Sequence, residues 1–105
     1  MKVALVSRND GLASLAQLLN ESSSKLETTS TDSVDDTVQL ALEGGLGYIV
    51  VDAKSVPPTT RLGIRRTLRD NRTEVGFRAI DPTDQRLVKQ TADDLLDLAT
   101  SLSQA

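Results

Sequence analysis

The 105-residue chain contains no cysteine, no histidine and no tryptophan. Without cysteine and histidine there is no disulfide, no zinc site of the usual kind, no thiolate nucleophile and no imidazole for acid–base catalysis. These absences remove the side chains on which most enzyme mechanisms depend. We therefore expect a protein that is not an enzyme and carries no cofactor.

Aromatic residues are nearly absent too, because Tyr48 and Phe77 are the only ones. The core must be built from Leu, Val, Ile and Ala, and bases would find few rings to stack on. The net charge of −3 also disfavours general nucleic-acid binding. Since every apolar run is far shorter than a membrane span and the N-terminus lacks a signal-peptide pattern, we expect a cytoplasmic protein without a membrane span.

Strand patterns occur at four places: KVALV (2–6), a weaker KLETTS (25–30), YIVVD (48–52) and TEVGFRAI (73–80). YIVVD is apolar at four consecutive positions, which is typical of a strand covered on both faces in a parallel sheet. Its last residue, Asp52, is delivered to the carboxyl end of that strand, where open parallel sheets place their ligands.

Helical patterns lie between these strands. Apolar residues recur at helical spacing from Leu12 to Leu19, and Ser33 is a predicted N-cap for a helix whose apolar face ends before Gly44 and Gly45. A third helix is predicted over 59–71. The alternation predicts one α/β domain over 1–105, a small doubly wound parallel sheet with helices on both faces.

The last 25 residues allow two interpretations. Asp81 as N-cap with Pro82 in the first helical position favours a single helix to about residue 103. Alternatively, RLVK (86–89) is a fifth strand followed by a helix capped at Thr91. The five residues before RLVK are too few for a parallel crossover, so we favour the single helix and a sheet without a fifth strand.

The order of elements and the position of Asp52 resemble the receiver domains of bacterial response regulators over roughly the first 80 residues. The resemblance implies the sheet order 2-1-3-4 and a site at the carboxyl ends of strands one and three. It places Asp52 at the phosphorylated aspartate. Lys89 would match the family's fifth-strand lysine if RLVK is that strand, although a rival alignment of TADDLLDL (91–98) contradicts this.

The matching motifs are incomplete. Where receivers carry two acids that hold magnesium, this chain has Ser7 and Arg8, with Asn9 and Asp10 following one step late. Magnesium neutralises the like charges of the carboxylate and the incoming phosphoryl group, and Arg8 is a cation and cannot act as a ligand. We expect Arg8 or Lys54 to pair with Asp52, although Arg8 as a solvated loop residue remains an alternative.

Eroded pockets of this kind are similar to the atypical receivers that precede the pilus-assembly ATPases of tight-adherence systems. The resemblance implies a phosphorylation-independent interaction or localisation module in bacterial signalling, with a place at the start of a longer protein left open. The alternative is a working receiver in which Asp52 accepts phosphate with the help of Mg²⁺.

A row of arginines provides a second candidate surface. Arg61, Arg65 and Arg69 follow at i, i+4 and i+8 on one helical face. Such a row can bind an acidic protein partner or, as a further alternative, nucleic acid, although a solvated polar face is the more common role. By contrast, we expect the acids of the last helix, among them Asp94, to be solvated. A sheet without a fifth strand leaves strand four open, which suggests self-association as a homodimer.

Overall fold

A computed structural model describes residues 1–9, 11–22 and 26–104, and strands alternate with helices throughout. The strands are β1 (Lys2–Val6), β2 (Glu27–Thr31), β3 (Tyr48–Asp52) and β4 (Gly76–Ile80). The helices are α1 (Ala13–Ser22), α2 (Val34–Leu42), α3 (Pro58–Asp70) and α4 (Gln85–Gln104). Each predicted element is therefore present, with shifts of a few residues at its ends.

The four strands form one parallel sheet in the order β2-β1-β3-β4. The first connection along the chain places β2 on one side of β1, and the next places β3 on the other. The carboxyl ends of β1 and β3 consequently lie at the point where the winding reverses, with Val6 beside Val51. This arrangement confirms the predicted fold class and is compatible with a flavodoxin-like fold.

Both faces of the sheet are covered, because successive residues of a strand point to opposite sides. In β3, Ile49 and Val51 face α2 and α3, whereas Val50 faces α1 and α4, and all three are fully buried. The consecutive apolar residues of β3 are thus explained by coverage of the strand on both faces of the sheet, as predicted from the sequence. The result is three layers with an apolar core on each side of the sheet.

The start and end of α2 are fixed by local signals. The Ser33 hydroxyl accepts a hydrogen bond from Asp36 N at 3.2 Å, as an N-cap residue does. At the other end Gly44 has a φ of +80°, and Gly45 N donates to Leu40 O at 2.9 Å. The left-handed conformation at Gly44 closes the helix and suits glycine because a Cβ would be strained there.

The C-terminal segment is a single helix, as favoured from the sequence, but its start was placed wrongly. Asp81 to Asp84 form a turn in which Asp84 N donates to Asp81 O at 3.0 Å, so Pro82 precedes the helix. The side chain of Asp84 then accepts hydrogen bonds from Arg86 N and Leu87 N. Asp84 therefore performs the capping role that was assigned to Asp81.

Several large apolar side chains remain exposed, most of all Leu62 at 57%. Leu87 and Leu98 on α4 are both 38% exposed. None of the helices in the described ranges is long and apolar enough to cross a bilayer.

Candidate functional site

Asp52 lies where the fold brings the ends of β1 and β3 together. Ser7 directly follows β1 and Asp52 is the last residue of β3. The Ser7 hydroxyl lies 2.8 Å from Asp52 Oδ2 and donates to it, although 45 positions separate the two residues in the chain. At the switch point, where the winding of the sheet reverses, two of the site residues predicted from the sequence are thus in contact.

The turn after β3 binds the other carboxylate oxygen. Asp52 Oδ1 accepts hydrogen bonds from Lys54 N at 2.8 Å and from Ser55 N at 3.3 Å. Such contacts to following amides are typical of aspartate in turns. Asp52 is 0% exposed, and hydrogen-bond donors surround its carboxyl group in a place that solvent does not reach.

The loop after β1 closes over the carboxylate. Gly11 N donates to Ser7 Oγ at 3.0 Å and to Asn9 Oδ1 at 3.2 Å, which draws the loop back onto Ser7. A Cβ on Gly11 would lie 2.6 Å from Asp52 Oδ2 and 3.3 Å from Pro82 Cγ. Only glycine fits here without a displacement. Sequence reasoning missed Gly11, although a glycine between a strand and a helix is a signal for close approach.

The expected ion pair between Asp52 and Arg8 or Lys54 is wrong. Among the described residues the ion pairs do not include Asp52. Arg8 is exposed, and its main-chain N donates to Ser55 Oγ at 3.1 Å. Lys54 Nζ lies 3.9 Å from Asp81 Oδ1 at the surface. In place of a cationic side chain, the Ser7 hydroxyl and the main-chain amides of Lys54 and Ser55 donate hydrogen bonds to Asp52.

The sequence prediction includes two further pocket residues, Asp10 and Lys89. Asp10 lies outside the described residues. Lys89 belongs to α4 and lines a groove between α1 and α4 together with Gln17 and Glu21. Its assignment to a fifth strand is therefore wrong, because the segment that was aligned with that strand is helical.

Asp81 forms a small surface site after β4. Its Oδ1 accepts hydrogen bonds from Thr83 Oγ1 at 2.6 Å and from Thr83 N at 2.9 Å. These two hydrogen bonds, followed by the positive charge of Lys54, lower the pKa of Asp81 below its ordinary value of 3.8. Asp81 is accordingly a stable anion at neutral pH.

The residues at the switch point do not fit a magnesium ion. Magnesium requires several oxygen ligands in a near-octahedral arrangement. Both oxygens of Asp52 already accept hydrogen bonds, and Gly11 packs against one of them. In the part of the chain that the structure describes, no three acidic, histidine or cysteine side chains are grouped to hold a metal.

The arginines of α3 have different environments. Arg61 is half-buried, and its Nε is buried without a hydrogen-bond partner. The Arg65 guanidinium lies over the Phe77 ring, 5.1 Å from its centroid, which is a cation–π distance. Arg69 is exposed beside Asp70. Arg61 and Arg65 therefore belong to one cleft against β4, and Arg69 does not line it.

An ion pair that the sequence did not predict lies on the other face of β4. Arg78 Nη1 is 2.8 Å from Asp94 Oδ2 and 3.4 Å from Thr91 Oγ1. The hydrogen bond to Asp94 raises the pKa of Arg78 above its ordinary value. The expectation that Asp94 is merely solvated is wrong. Arg78 lies within β4, and its side chain faces the covering helix α4. A charged residue at such a strand position is a signal for a partner on that helix.

Fold and site together define a small doubly wound α/β domain whose switch-point carboxylate is buried and hydrogen-bonded. Searches among protein-family models, curated proteins and solved structures found no match for this chain.

Proposed function

We propose that this domain is a receiver-like protein-interaction module that acts without phosphorylation and without catalysis. The observation that carries the proposal is the state of Asp52. Its side chain is fully buried, and each carboxylate oxygen accepts at least one hydrogen bond. A carboxylate so engaged contributes to the fold and is not presented to a substrate.

Phosphoryl transfer to a carboxylate makes demands that this site does not meet. The attacking oxygen must approach phosphorus in line, and a cation must balance the charges that meet. For Asp52 Oδ2 to do so, the hydrogen bond from Ser7 would have to break and Gly11 would have to move. The two cations that were expected to pair with Asp52, Arg8 and Lys54, lie at the surface in other contacts.

The surface of the domain carries features that can bind a protein partner. The described residues include exposed leucines on α3 and α4, an open sheet edge at β4 and the arginine cleft beside it. Exposed apolar groups next to charged ones are typical of surfaces that bind other proteins. These features support binding of a protein partner as the activity of the module in signalling.

The test is exposure of the protein to a phosphoryl donor. The protein is incubated with Mg²⁺ and acetyl phosphate, and separately with Mg²⁺ and beryllium fluoride. Intact mass and the amide resonances of Lys54 and Ser55 are then recorded, with Asp52→Asn as the matched control. We expect no added mass, and no difference between the two proteins in how these resonances respond. A stoichiometric adduct that Asp52→Asn abolishes would refute the proposal.

A further inference from the structure

We propose that the outer edge of β4 accepts an extended acidic segment of a protein partner as a fifth strand. This inference deepens the proposed function and depends on it, since it assigns the surface and the chemistry of the partner. Three features carry it: unpaired main-chain groups along the edge, two arginines on one side of that edge and two leucines on the other.

The main chain of β4 has a vacant side. Gly76 N donates to Gly47 O at 3.2 Å and Ala53 N donates to Ile80 O at 2.8 Å, so these alternate residues face β3. In a parallel strand the N–H and C=O of one residue point the same way, and those of Phe77 and Ala79 consequently point outward. Within the described ranges no strand pairs with this side.

The side of the edge that faces α3 is positively charged. A cleft of about 520 Å³ is lined there by Pro58, Arg61, Leu62, Arg65, Phe77, Arg78 and Ala79. Arg78 is compensated by Asp94, whereas Arg61 and Arg65 take part in no ion pair among the described residues. No side chain in this lining is acidic. Guanidinium groups bind carboxylates through paired hydrogen bonds, so the cleft selects acidic side chains.

The side that faces α4 has a different chemistry. Thr91 and Asp94 contact Arg78 across the sheet edge. Leu87 lies four residues before Thr91 and Leu98 four residues after Asp94, so the two leucines lie on the same helical face and flank that contact. Both leucines are partly exposed, and the ion pair between them has no net charge. Apolar side chains are therefore favoured on this side.

These two sides impose a pattern on the incoming strand. Side chains alternate across a strand with a period of two. A segment in which acidic residues alternate with apolar residues places the acids against Arg61 and Arg65 and the apolar groups against Leu87 and Leu98. Main-chain hydrogen bonds to Phe77 and Ala79 then supply affinity, and the two sides supply specificity.

A second copy of the chain is a poorer occupant. When two β4 strands pair antiparallel with Phe77 opposite Ala79, side chains that stand opposite each other lie on one face of the joined sheet. Both α3 helices then lie on the same face of the joined sheet, which brings two sets of Arg61 and Arg65 together. Like charges brought close together are unfavourable, so we infer a heterologous acidic partner in preference to the homodimer.

The test uses the full chain and blocked peptides of about six residues, the usual length of a strand. In one peptide glutamate alternates with valine, and in the control peptide lysine alternates with valine. Binding is followed by amide chemical shifts and by hydrogen exchange. We expect the glutamate peptide to bind and to slow exchange at the amides of Phe77 and Ala79, with affinity falling as salt is added. The lysine peptide should not bind.

Three variants separate the contributions. The double variant Arg61→Gln, Arg65→Gln should weaken the glutamate peptide about tenfold or more, because charge-assisted hydrogen bonds are lost. The double variant Arg66→Gln, Arg69→Gln makes the same charge change on the same helix outside the cleft, and it should leave the affinity unchanged. Ala79→Pro removes one outward N–H, which an edge position tolerates, and it should abolish binding.

Several results would overturn the inference. They are the absence of peptide binding, binding without protection of Phe77 and Ala79, equal affinity for the lysine peptide, and protection of these amides by self-association alone. None of them would show phosphate on Asp52, so the proposed function would survive. Conversely, an Asp52 adduct would refute the proposed function while peptide binding at β4 could still be observed.

Discussion

The tight enclosure of Asp52 predicts a loss of stability on substituting alanine for Gly11. The new Cβ would lie 2.6 Å from Asp52 Oδ2, closer than such atoms approach in proteins. That oxygen is held by the Ser7 hydroxyl at 2.8 Å, so it has little freedom to retreat. Either the loop after β1 moves outward or the hydrogen bond from Ser7 lengthens.

The size of the effect follows from two opposing contributions. Adding a methyl group to a packed site costs about 1–3 kcal/mol. Replacing glycine by alanine lowers the conformational entropy of the unfolded chain, which stabilises the folded protein by about 0.4–1 kcal/mol. We expect Gly11→Ala to lower the free energy of unfolding by about 1.5 kcal/mol, which lowers Tm by about 6–12 °C in a domain of this size.

Gly63 provides a matched control. It lies inside α3, is exposed, and a Cβ there would have no atom within 4 Å. Gly63→Ala should therefore raise stability by about 0.4–1 kcal/mol. The same substitution is thus expected to have opposite signs at the two glycines, as measured by urea unfolding and by thermal melting.

A double-mutant cycle connects the effect to the carboxylate itself. Asp52→Ser withdraws Oδ2 but retains a hydroxyl that can accept from Lys54 N. In that background Gly11→Ala should cost less than in the natural protein, because the closest contact of the new Cβ is gone and only those to Asn9 Oδ1 at 3.0 Å and Pro82 Cγ at 3.3 Å remain. If Gly11→Ala stabilised the natural protein as Gly63→Ala does, Asp52 would not be enclosed as described, and our reasoning about phosphorylation would fail with it.

Three further predictions follow from the same contacts. Ser7→Ala should lower the free energy of unfolding by about 1.5–3 kcal/mol, measured by urea unfolding, since a buried carboxylate loses a hydrogen-bond donor. A cycle of Arg78→Gln with Asp94→Asn should give a coupling of only about 0.2–1 kcal/mol, because both side chains are more than one-third exposed. Thr83→Val should raise the pKa of Asp81, measured by an NMR titration, because the hydroxyl that most strongly lowers it is removed. Since that pKa is lower in the folded state, the contribution of Asp81 to stability is present above about pH 3.8 and is lost as the pH falls through the folded value.

Each of these has a control and a contrary outcome. Ser14→Ala, at an exposed position of α1, should change stability by less than about 0.5 kcal/mol. A Ser7→Ala protein as stable as this control would mean that the hydroxyl contributes nothing to Asp52. Coupling between Arg78 and Asp94 of several kcal/mol, or an Asp81 titration insensitive to Thr83→Val, would contradict the roles given to these pairs.

Local sequence patterns predicted the elements and several of their ends. The Ser33 cap, the glycine stop at Gly44 and the two-sided burial of β3 all depend on residues within a turn or a strand of one another. The start of α4 was misplaced because Asp81 and Asp84 are both acceptable caps with a proline nearby. Only the hydrogen bonds of the folded chain distinguish them.

The candidate site was predicted in its location but not in its chemistry. Asp52 was expected at the carboxyl end of β3, and Ser7 was expected near it. That the carboxylate would be bound by a hydroxyl and amides rather than by Arg8 or Lys54 depends on where the loops turn. Loop direction is set by many weak contacts, among them the close approach of Gly11, which residue types alone do not encode.

The sequence by itself determined the class of fold, because the alternation of strands and helices is written in periodicities of 2 and about 3.6 residues. It also determined that no histidine or cysteine of this chain takes part in any site, since a residue type missing from the sequence is missing in every conformation. The tertiary structure alone decided which groups meet across 45 positions of chain, and so whether Asp52 faces solvent or Ser7. The reason is physical: periodicity acts between near neighbours, whereas the burial of a charge depends on every element packed around it.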